Sequence, residues 1–201
     1  MKSSMKKLAV FGMIASVAMF IGAATASAFD RDDHQKGIHG EYAFTGSGAC
    51  TLSPLGFNPN FTPVVPTIAS MGPNVWEGVY TFNYNGKGKM EARQCYQNGP
   101  NTYDSGCALL SWEFKYEMDG TEITFTFIPR TYSLEYIAGP NTIYPKLTPP
   151  TLTVFDQPWT GRISPDGKNL SVFYGGPFKI EIKDFGIEVI CNTVHQGFQT
   201  H

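Results

Sequence analysis

Four cysteines, Cys50, Cys95, Cys107 and Cys191, hold the most defined chemistry in this sequence. An even number permits complete pairing, and four cysteines admit three connectivities. The favoured pairing joins Cys95 to Cys107, around a short loop holding Gly99-Pro100, and Cys50 to Cys191, tying the first strand to the last. A loop that short contributes on the order of 3 kcal/mol. The rival use is metal binding, but the chain has no CxxC and no Cys/His pair at ligand spacing, so no metal and no cofactor are expected. The histidines say less. His34 lies among Asp30, Asp32 and Asp33 with His39 nearby, in what reads as a loose tail, and His201 is terminal. His195 shares a face with Cys191 by period two and is expected as a surface residue at the rim of the last strand.

The second feature is aromatic. Fifteen Phe, ten Tyr and three Trp occur, many at alternate positions. Such side chains either fill a small barrel or line a pocket for an apolar or aromatic ligand, with hydroxyls to orient it. The candidate ligand-binding residues are Tyr80, Phe82, Gln94, Tyr96, Trp112, Phe114, Tyr116, Phe125 and Arg130, with Asn192 a further polar position. No catalytic residue is assigned. GxSxG, HExxH and EF-hand patterns are absent, and Gly86-Lys87-Gly88-Lys89 sits at a hairpin rather than before a helix. Glu113 and Glu117 flank Lys115, and Glu181 lies between Lys179 and Lys183, as solvated strand faces do.

The elements that must position these residues are strands. Tyr42 and Phe44 alternate with Glu41, Ala43 and Thr45. Trp76, Gly78, Tyr80, Phe82 and Tyr84 form one face of a second strand, ended by Asn85-Gly86, a type I′ hairpin signal. Met90, Ala92, Gln94 and Tyr96 return. Trp112, Phe114, Tyr116 and Met118 then run to Asp119-Gly120, and Ile123, Phe125 and Phe127 follow. Short strands are expected at 152–155, 159–163, 170–174, 178–182 and 187–195. Five prolines between 53 and 73, and more between 129 and 158, read as two long loops. The fold class is all-β, an antiparallel up-and-down barrel of about eight strands that leaves no free edge; a two-sheet sandwich is the alternative.

Lys2, Lys6 and Lys7, an apolar run and Ala26-Ser27-Ala28 make residues 1–28 a secretory signal peptide. A flexible tail over 29–39 and a single domain over 40–201 follow, in a bacterial-type periplasmic or extracellular location with no membrane span after cleavage. The formal net charge of −2 includes the three signal lysines. Without a basic cluster, nucleic acid is excluded as a partner.

Gly40-Glu41-Tyr42-Ala43-Phe44 after a loose segment resembles the opening of a calycin barrel of the lipocalin and avidin kind. There a Gly-x-Trp begins an eight-stranded meander around a small apolar ligand. Here Tyr42 stands for the Trp, and no arginine follows Arg162 to pack against it. The stretch from Tyr42 to Cys50, with Ile163-Ser164-Pro165-Asp166-Gly167-Lys168, resembles small exported bacterial proteins of unassigned function. By architecture the chain is also similar to allene oxide cyclase-like barrels. The leading functional expectation is a barrel that binds a small apolar or aromatic molecule inside. The alternatives are a structural or interaction protein using the proline-rich loops, and an isomerase- or cyclase-like enzyme in the cavity.

Overall fold

The computed structural model describes residues 38–97, 105–143, 145–149, 151–154, 158–174 and 178–200. The signal segment, the tail up to residue 37 and Gly99-Pro100 lie outside these residues. Among the described residues eleven strands form one antiparallel sheet: β1 (Gly40–Ser53), β2 (Ser70–Asn83), β3 (Lys87–Tyr96), β4 (Gly106–Asp119), β5 (Glu122–Phe127), β6 (Ser133–Ala138), β7 (Leu152–Val154), β8 (Trp159–Ile163), β9 (Asn169–Tyr174), β10 (Phe178–Ile182) and β11 (Ile187–Gln199). Eight of them close a ring in the order β1-β2-β3-β4-β5-β8-β9-β11, with β11 pairing back onto β1. The expected all-β antiparallel class holds. So does the inward alternation: Trp76, Tyr80, Phe82, Met90, Trp112, Phe114, Tyr116, Ile123 and Phe125 are buried.

The ring is uneven because its strands differ in length. β1, β2 and β4 have 14 residues and β11 has 13, whereas β5, β8 and β9 have five or six. The short strands pair with the lower halves of β4 and β11 only, through Phe114–Asp119 and Val194–Phe198. Above them the long strands present free edges, and an unpaired edge invites foreign pairing. β6 covers the edge of β4 over Cys107–Ser111, and β10, with β7 beside it, covers β11 over Ile187–Cys191. The lower rim, the turn end, carries three tight hairpins. The upper rim, the disulfide end, carries the longer connections.

Four expectations need correction. The Asn85-Gly86 connection is not a type I′ turn. Asn83 pairs with Lys87 across a three-residue loop, and the glycine alone takes positive φ, at 72°, as a left-handed residue closing such a loop does. Tyr84 lies in that loop rather than on the inner face; it is 68% exposed and stacks on His39. Both long loops are shorter than read. β1 runs on to Ser53, and β2 begins at Ser70 and passes through Pro73. Pro73 accepts from the Gln97 N–H just beyond Tyr96, so its missing donor costs only the terminal bond of that ladder. β6 lies inside the second stretch, a brief Leu134/Tyr136 alternation between Pro129 and Pro140 that pairing to β4 secures. The packed domain also starts before Gly40, because Ile38 is fully buried.

Candidate functional site

The inner faces divide at mid-height. Toward the turn end, Tyr80, Phe82, Phe114, Tyr116 and Phe125 come together, each 2% exposed or less. Phe82 and Phe114 lie 5.5 Å apart, Phe114 and Phe125 5.2 Å, and Phe82 and Tyr116 5.2 Å, all in edge-on or T-shaped contact. Such pairs add about 0.5–1.5 kcal/mol each beyond area burial. Trp112 packs on Tyr132 and, edge-on, on Trp159. Five of the nine candidate ligand residues thus pack ring against ring, and Trp112 joins them from above. Tyr116 Oη donates to the Asn83 carbonyl at 2.8 Å and Tyr42 Oη to the Gly167 carbonyl at 2.6 Å, tying the rings to the hairpins. Burial, with Tyr116 and Asp166 nearby, pushes the Tyr42 hydroxyl up to about 12.

His195 belongs to this packed region. It does share the Cys191 face, but β11 continues to Gln199, so His195 lies well below the rim and is fully buried rather than on the surface. Gly46 opposite leaves the space it needs, since a Cβ there would fall 2.3 Å from His195 Cδ2. The ring stacks on Phe44 at 4.5 Å and meets Tyr80 Oη through Nδ1 at 2.7 Å. Burial lowers its pKa to about 3, so it is neutral at pH 7. Neutral imidazole against a phenol is an acid–base pair in kind, and both groups are sealed among rings, away from solvent. A buried histidine was missed because nothing in the local pattern separates an inward His from a rim His; Gly46 in the opposing strand was the available signal.

Toward the disulfide end the interior opens. A cleft of about 70 Å³ lies between β6 and β10, walled by Leu134 and Tyr136 on one side and Ile180 and Ile182 on the other. Gln94 and Tyr96, two further candidate residues, line it together with Ala108 and Val189. Its floor is the Cys50–Cys191 disulfide, with the Gln94 amide 3.6 Å from Cys50 Sγ. Both cystines join residues directly opposite in neighbouring antiparallel strands, Cys50 to Cys191 across β1–β11 and Cys95 to Cys107 across β3–β4. The pairing is the one the spacing favoured. Two disulfides are compatible with an extracellular or periplasmic setting.

Arg130 stands apart from the other candidates, exposed at the turn after β5 with φ 67°, and Asn192 faces outward on β11. Neither reaches the interior. A larger groove of about 330 Å³ runs over the outer face of β2, β3, β4 and β6. Its walls are the exposed ion pairs Arg93–Glu77 and Lys146–Glu135, which salt and water screen. Comparison of the chain with known family models, characterised proteins and solved structures gives no match.

Proposed function

We propose that this protein is an exported β-barrel that takes the apolar or aromatic end of a small molecule into the cleft at its disulfide end, rather than enclosing a whole ligand at its centre. The observation that carries the reading is an apolar recess open to solvent between β6 and β10, beside a core already occupied by its own rings. About 70 Å³ is roughly half of a cavity that holds benzene. One ring edge or a branched alkyl terminus therefore fits, with the rest of the molecule outside. Gln94 and Tyr96 supply polar atoms to orient the group, while Leu134, Ile180 and Ile182 supply the burial. Titration of isotope-labelled protein with toluene tests this. Shifts confined to Leu134, Ile180 and Val189, and lost in Ile180→Trp, are expected. Shifts absent, or spread over the packed rings, sink the reading.

An outward-facing role has an observation of its own. Phe173 and Val194 pair across β9 and β11, each 40% exposed, and Val75 stands in the same cross-strand row at 58%. If that face binds protein, Val194→Lys lowers association measured by sedimentation while toluene binding stays unchanged.

A further inference from the structure

We propose that Cys95–Cys107 is a thiol-exchange site on the outer face of the barrel, open to exported dithiol reductants, while Cys50–Cys191 is structural. The two bonds occupy opposite faces. Cys50 and Cys191 point inward and are 7% and 3% exposed. Cys95 and Cys107 alternate with the inward Gln94, Tyr96 and Ala108, so they point outward, and both are part-exposed. Attack on a disulfide needs access to one sulfur and a good leaving group at the other.

Arg93 supplies the second condition. It is two residues before Cys95 on the same outer face, and its Nη2 lies 3.8 Å from Cys107 Sγ, while Nη1 is held at 3.2 Å by Glu77. A guanidinium beside one sulfur favours that sulfur as thiolate. The incoming thiolate therefore attacks Cys95 Sγ. A new sulfur–sulfur bond forms to Cys95, the Cys95–Cys107 bond breaks, and its electron pair leaves on Cys107 Sγ beside Arg93. The second thiol of the reductant, as thiolate, then attacks the reductant's first sulfur, forming the reductant's internal disulfide and breaking the bond from that sulfur to Cys95 Sγ. The dithiol departs oxidised, and Cys95 departs as a thiolate that takes a proton from water.

The bond also stands next to the cleft. Tyr96 and Ala108, which line it, adjoin Cys95 and Cys107, and Tyr96 Oη would lie 3.0 Å from a Cβ at Gly106. Exchange here loosens the end of the β3–β4 hairpin without cutting the β1–β11 closure. The exchange does not depend on the cleft having an occupant.

The test uses the exported protein with both disulfides formed. Dithiothreitol at neutral pH, quenched with iodoacetamide and mapped by mass spectrometry, is expected to label Cys95 and Cys107 at least about tenfold faster than Cys50 and Cys191. Glutathione is expected to form its adduct on Cys95, leaving Cys107 free to alkylate. Arg93→Leu slows opening about threefold or more, whereas Glu77→Gln, which keeps the guanidinium, does not slow it. Simultaneous opening of both bonds, an adduct on Cys107, or equal slowing by both variants overturns the proposal.

Discussion

At the turn end of this barrel eight strands pair in a closed ring and aromatic side chains pack between them; at the disulfide end the same β4 and β11 have lost their short neighbours. There, β6 and β10 serve as substitutes, and they flank a cleft instead of completing the wall. Hydrophobic burial and ring contacts secure the first region, cross-strand cystines the second. The difference teaches that strand length, more than side-chain type, decides where such a barrel is solid. Aromatics occur at both ends, but only where the ring closes do they lack room for anything else.

The sharpest way to break this comparison is to remove one large side chain from each region. Trp112→Ala is expected to cost about 3–5 kcal/mol, and Leu134→Ala about 2 kcal/mol, because a cleft open to water already lacks part of the packing that a cavity would forfeit. Urea unfolding measures both; equal losses would show that the two ends are equally packed. Replacing Cys50 and Cys191 by Ser is expected to cost up to about 5 kcal/mol, since their bond closes 141 residues. The same denaturation series, with the turn-end hydrogen exchange unchanged, checks that the effect belongs to the disulfide end.

The pH dependence sharpens the contrast further. His195 has its folded pKa lowered to about 3, below its usual 6.5, so the unfolded chain binds the proton first. Its contribution is fully present above about pH 6.5 and is lost as pH falls toward 3, at a slope of about 1.4 kcal/mol per pH unit. His195→Gln keeps a partner for Tyr80 Oη without titrating. Between pH 6 and 4 the variant is expected to lose this slope, read from urea midpoints at several pH values. An unaltered slope would place the acid sensitivity elsewhere.

The sequence by itself determined the class and the inward faces, and it favoured, among three connectivities, the cystine pairing that formed. Period two states which of Trp112, Glu113, Phe114 and Lys115 enter the core, whatever lies opposite, and turn glycines mark the hairpins because positive φ is a local requirement. Only the tertiary structure decided how far each strand runs, where β6 forms, that His195 is buried, and that the interior splits into packed rings and a cleft. Those outcomes rest on pairings between residues far apart in the chain, such as Tyr42 with Gln199 and Cys50 with Cys191. A strand end is set by whether a neighbour's edge is still free, and no local pattern of residues records that.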